Sequence, residues 1–166
     1  MRIQAKRMAV CSMMTALCVV MMLLGGVLEL GMYACPMFAG LCLIPVGQNY
    51  GRKYQILVYL ATGLLCLMLV PSVEENLMFV GLLGWYPMVR QTISKLPGLL
   101  RLPLKLLVFN GAVVAIEWVV ISLFVPEALT TAMVAVLLIL GNITFLAYDF
   151  LIPRMEILML RLKRLF

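Results

Sequence analysis

The chain has 166 residues, 65% hydrophobic and 12% charged. A soluble domain usually carries about 25% charged residues, so there is too little polar surface here to cover a water-soluble fold. Histidine is absent, which excludes imidazole metal sites and His-centred catalysis. The net charge of +6 arises from 13 Lys and Arg against 7 Asp and Glu, and the placement of those charges decides between nucleic acid and membrane as partner.

Uncharged runs of about 18 residues or more read as membrane spans. The first expected helix, 8–28, follows the basic start MRIQAKR. In outline this resembles a signal peptide, but the run is long and reaches Gly25-Gly26 without an A-x-A cleavage site. A retained helix is therefore expected. The second, 33–49, contains Pro36, Gly40, Pro45 and Gly47 and is expected to be bent or broken, as membrane proteins tolerate where protein covers the freed backbone groups. The third is expected over 54–70 and the fourth over 74–91. Only 14 uncharged residues separate Glu75 from Arg90, so the fourth crosses only with little tilt or local thinning of the bilayer. The fifth, 103–124, is interrupted by Glu117, and the sixth covers 129–151. Two basic amphipathic segments, Arg90 to Lys105 with a break at Pro97-Gly98 and the tail 153–166, fit the membrane interface.

Six crossings place all 13 basic residues on one side: Arg2, Lys6 and Arg7, then Arg52 and Lys53, then Arg90 to Lys105, then Arg154 to Arg164. Glu29, Glu74, Glu75 and Glu127 mark the other side. Lys and Arg in short loops set orientation. Both termini are thus expected on the cytoplasmic side, and the basic residues face anionic lipid rather than nucleic acid. The expected fold class is all-α, a polytopic six-transmembrane-helix bundle with 1–166 as one integral membrane domain.

Polar groups inside apolar helices are costly and therefore candidates for function. Asn110 and Glu117 lie seven residues apart on one face of the fifth helix, and Asn142 and Asp149 repeat that spacing on the sixth. Asp149, at a depth similar to Lys105, suits a salt bridge. Asn110 and Asn142 suit either a hydrogen bond between helices or contact with a substrate. Glu117 has no cation at its own depth, so it is neutral, faces a wet cavity or meets a ligand. Trp85 and Tyr86 form an aromatic belt or a stacking platform for a ring-shaped substrate. Glu74 and Glu29 fall near the outer entrance. Ala5, Ala9, Ser12 and Ala16 share one face of the first helix, which lets another helix approach closely, within the bundle or from a second membrane protein.

Catalytic motifs are missing. No H-E-x-x-H, G-x-S-x-G or P-loop occurs, so an enzyme is not expected, and any ATP-driven step needs another subunit. Glu74-Glu75 resembles the paired glutamates of an intramembrane prenyl-protein protease family, but that pattern requires Arg where Phe79 stands. Cys11, Cys18, Cys35, Cys42 and Cys66 with 14 Met suggest either a soft Cu(I) site or, by preference, ordinary interior filling. No metal or cofactor is expected.

Size, six spans and the small-residue first helix, with Ala5-Lys-Arg-Met-Ala9 continued by Ser12 and Ala16, resemble the S components of energy-coupling factor (ECF) transporters. The stretches Leu69-Val-Pro71-Ser-Val-Glu74-Glu75, Gly84-Trp85-Tyr86-Pro87 and Lys105-Leu-Leu-Val-Phe-Asn110 are similar to S-component-like small membrane proteins of Firmicutes. The resemblance implies a substrate-capture subunit of a micronutrient importer. It also implies a transmembrane coupling subunit that docks at Ala5, Ala9, Ser12 and Ala16, and separate ATPase subunits. Glu117, Asn110, Asn142, Trp85, Tyr86 and Glu74 are then the candidate contacts to a small-molecule substrate. The alternative is a scaffolding membrane protein of the MreD kind, with no transported substrate.

Overall fold

Runs of Leu, Met, Ala and Val offer the backbone no competing polar side chains, so its hydrogen bonds close locally. The computed structural model of the protein describes residues 2–28, 34–93, 98–124 and 131–165. Among them the elements are all helical: α1 (Arg2–Leu28), α2 (Ala34–Tyr50), α3 (Arg52–Leu69), α4 (Val73–Met78), a π-helical segment (Phe79–Leu83), α5 (Tyr86–Ile93), α6 (Gly98–Phe124) and α7 (Thr131–Leu165).

Several features differ from expectation: α1 begins at Arg2 rather than 8, and α6 at Gly98 rather than 103. The second helix is unbroken although Pro45 lies inside it. The fourth, expected as one span over 74–91, is divided into α4, the π segment and α5. The tail expected as a separate piece over 153–166 continues α7, with Pro153 inside the helix. A proline removes one i→i−4 bond and crowds the preceding turn, yet the helices continue through Pro45, Pro103 and Pro153.

α1, α2 and α3 pack on one another, and α2 also touches α4, the π segment, α5 and α7. Two cores result. Cys11, Cys18, Met22, Leu43, Val58, Cys66 and Phe79 fill the space among α1, α2 and α3. Leu41, Ile44, Leu82, Tyr86, Phe109, Phe145 and Tyr148 fill the space among α2, α5, α6 and α7. α2 is the wall between them.

The contacts also define two ends. At one, Gly25 and Gly26 of α1, Cys35 of α2, Val70 and Pro71 after α3, and Glu75 of α4 meet. At the other, the α2–α3 turn, the start of α5 and Glu156 of α7 line one cavity, and Arg90 and Lys105 meet Asp149.

Three helices among the described residues are long and apolar enough to cross a membrane: Gln4–Val27, Arg52–Leu69 and Leu138–Leu158. Each has under a third of its apolar window buried within the chain. Met13, Leu64, Met68, Leu107 and Trp118 point outward, Met68 with 80% of its surface exposed. Soluble monomers rarely show apolar patches beyond a few hundred Å², and an apolar exterior of this kind suits a bilayer.

Candidate functional site

The break in the fourth helix organises one half of the molecule. Gly84 N–H bonds back to the Phe79 carbonyl at 2.8 Å, the wider turn that defines a π segment. Val80 O thereby loses its usual helical donor, and the Tyr59 hydroxyl of α3 donates to it at 2.7 Å. Pro87 has no N–H for Leu83 O, and the Tyr148 hydroxyl of α7 donates there at 2.9 Å. The Trp85 indole donates to Gly81 O at 2.8 Å. Val80 O, Gly81 O and Leu83 O thus each accept from a side-chain donor, and at the buried Leu83 O this is what backbone away from water requires. Gly40 of α2 lies against the Tyr148–Leu83 bond so closely that a Cβ would strike both the hydroxyl and the carbonyl.

Beside the break, Asp149 collects three donors. Tyr86 Oη donates to Oδ1 at 2.8 Å, Arg90 Nε to Oδ1 at 2.8 Å and Lys105 Nζ to Oδ2 at 2.6 Å. α5, α6 and α7 are pinned together by one carboxylate. Tyr86 is fully buried, its ring edge-on to Phe145 with centroids 4.9 Å apart. Phe145 in turn stacks on Phe109 at 4.4 Å. Tyr86 is therefore held by Asp149 and the aromatic column, and Trp85 by Gly81.

Asn110 and Asn142 come together as an amide pair. Each Nδ2 donates to the other's Oδ1, at 3.1 and 2.9 Å, and also to a carbonyl on its own helix, Leu106 O or Leu138 O. Both amides are engaged across the α6–α7 seam. The side chain of Glu117 lies outside the described part of the structure, as do residues Glu29, Lys95 and Glu127. Glu74 is half-buried in the first turn of α4 and has an interaction of its own.

The residue with unmet chemistry is Glu75. Ser72 caps α4 by accepting from Glu75 N–H at 3.3 Å. In a capping box the Glu carboxyl returns to the cap residue's N–H. Here the carboxyl turns into the bundle instead, is fully buried, and leaves both oxygens without a hydrogen-bond partner. Asn76, also buried, donates to Val70 O at 3.1 Å but leaves Oδ1 unpaired. Buried polar atoms normally find partners, and these acceptors, with Thr62 Oγ1 of α3, are the described buried side-chain atoms that have none. From the sequence, Glu75 reads as a marker of the outer side and as half of a protease-like Glu pair, not as a buried group. The signal available was Ser72-x-x-Glu75 together with Gly25-Gly26, since Gly25 is where a Cβ would collide with the carboxyl and with Cys35.

The expected docking face of α1 is free. Ala5, Ala9, Ser12 and Ala16 are all exposed, and α1 packs on α2 and α3 through Cys11, Cys18, Val19 and Met22. At the basic end a cavity of about 160 Å³ is lined by Gln48, Arg52, Gln55, Pro87, Met88 and Glu156 among others. The five cysteines are unpaired thiols, and among the described residues no three Cys, Asp or Glu converge as metal ligands. In comparison with known proteins, no family model, no curated protein and no solved structure matches this chain.

Proposed function

We propose that the protein is a six-pass subunit of a bacterial cell membrane that captures a small solute for an importer of the ECF type, energised by separate ATPase subunits. Both termini lie in the cytoplasm, and the Glu75 end of the bundle faces out. The observation that carries this reading is the free small-residue face of α1. A helix that buries Cys11, Cys18 and Met22 against its own bundle presents Ala5, Ala9, Ser12 and Ala16 outward. Lipid places no premium on small side chains, whereas a partner helix does.

Two further features support capture of a solute. The unpaired acceptors of Glu75 and Asn76 offer polar contacts at the entry end, and the cavity beside Arg52 and Glu156 then opens toward the cytoplasm. The contacts assigned to Asn110, Asn142, Trp85 and Tyr86 move to a supporting role, because their polar atoms already hold the bundle together. That closed seam favours a second reading, a scaffolding membrane protein without a substrate.

Pull-down of a tagged chain from its native membrane, with and without Ala9→Leu plus Ser12→Leu, separates the two. An importer subunit co-purifies with a membrane coupling protein and ATPases, and the double substitution releases them. Recovery of the same partners with both leucines in place sinks the docking claim.

A further inference from the structure

The unanswered carboxyl of Glu75 calls for a ligand of one chemistry. Glu75 Oε1, Glu75 Oε2 and Asn76 Oδ1 are all acceptors, and none has a partner. Among the described residues, no hydrogen bond reaches the carboxyl from its neighbours. Asn76 Nδ2 is committed to Val70 O, Pro71 has no N–H, and Gly25 and Gly26 lie inside α1, where backbone N–H groups serve the helix. Of the titratable groups on the elements packed around it, Cys35 of α2 and Cys66 of α3 interact with it, and Glu74 precedes it on α4 itself. α1 meets it through Gly25 and Gly26, and α6 carries Glu117, whose side chain is outside the described residues. The described ion pairs, Arg90 and Lys105 with Asp149, are at the opposite end. An ionised carboxyl with no counter-charge in an apolar interior is strongly unfavourable, so a positive species must complete the site. It must also be small, since Gly25 lies so close to the oxygen that even a methyl group on it would collide.

We propose that Glu75, assisted by Asn76, is a site for a small monovalent cation, a proton or a sodium ion. The inference takes from the proposed function only the bilayer setting and needs no partner subunit.

The test uses the full chain in detergent, buffered with N-methylglucamine to exclude sodium, with thermal stability followed across pH with and without NaCl. Dicyclohexylcarbodiimide, which adds to protonated carboxyls, is applied in parallel and its attachment located by mass spectrometry. The proton stabilises the site while bound, so without sodium the wild type loses stability as pH rises, and labelling of Glu75 declines with it. Glu75→Gln, neutral and of the same shape, gives a flat profile, while Glu74→Gln follows the wild type. If NaCl restores stability at high pH and protects Glu75 from labelling, the cation is sodium; if NaCl changes neither, it is the proton. Should Glu75→Gln fold poorly, labelling of the wild type still decides. The proposal is overturned if Glu75→Gln retains the wild-type dependence on pH and sodium, or if labelling of Glu75 ignores both.

Discussion

Asp149 and Glu75 are both carboxylates inside the bundle, and their neighbours give them different work. Asp149 has three donors on two helices, so its replacement strands Arg90 and Lys105 in a half-buried place. Breaking a fully buried pair costs about 3–5 kcal/mol, and Asp149 keeps 19% of its side chain exposed, which softens the loss by solvent screening. Asp149→Asn is expected to lower stability by about 2 kcal/mol, measured as unfolding of the purified protein in mixed detergent. Arg90→Gln costs less, since Lys105 still faces the carboxylate. The Asn110–Asn142 pair is worth less again. Interhelical hydrogen bonds in membranes average about 0.6 kcal/mol, and a double-mutant cycle with alanine at both positions is expected to return a coupling near that value. A coupling of zero would mean that each amide is satisfied by its own helix. The spacing of Asn110 and Asn142 was legible as a shared seam, and Asp149 with Lys105 as an ion pair. Tyr86 as a third donor was not, because nothing local to Tyr86 reports which helix its hydroxyl will meet.

The fourth helix shows what a sequence pattern passes over. Its charge limits and its shortness were readable, and Pro87 was visible, but the π turn at Phe79–Leu83 depends on donors from α3 and α7 that lie far off in the chain. Tyr59 and Tyr148 looked like ordinary members of apolar helices and Gly40 like a helix breaker, and their roles appear only when Val80 O and Leu83 O need partners. The dependence has a specific consequence. Tyr148→Phe leaves Leu83 O unpaired in a buried place, at a cost of about 1–3 kcal/mol. Pro87→Ala restores an N–H at the position that would bond Leu83 O in a regular helix. The double variant is therefore expected to be more stable than Tyr148→Phe alone, read from the thermal midpoints of the four proteins. Strict additivity of the two changes would break the proposed link between Pro87 and Tyr148. Gly40→Ala acts on the same bond from α2, and its Cβ would push the hydroxyl off the carbonyl.

At the scale of the whole molecule, the two ends differ in charge and the helices run between them. Arg52 and Lys53, Arg90, Lys105 and Arg154 belong to the end where α2 meets α3 and α5 meets α7. Glu74 and Glu75 belong to the end where α3 gives way to α4. On the proposed six crossings, the positive-inside bias would put the first end in the cytoplasm and leave both termini there. An odd number of crossings would separate the termini and split the basic residues between compartments. Reporter domains fused at Met1 and at Phe166 are expected to read the same cytoplasmic side, and a reporter inserted at the Pro71–Ser72 turn the opposite one. α1 adds a second whole-molecule expectation, since its two faces serve different neighbours. Ala9→Leu leaves the stability of the isolated chain within about 0.5 kcal/mol, because Ala9 is exposed. Gly25→Leu on the inner face drives a side chain into Glu75 and Cys35 and costs about 1–3 kcal/mol, as overpacking does. Equal tolerance at the two positions would mean that α1 is not seated on the bundle through its glycine face, and the free face would then lose its meaning as a docking surface.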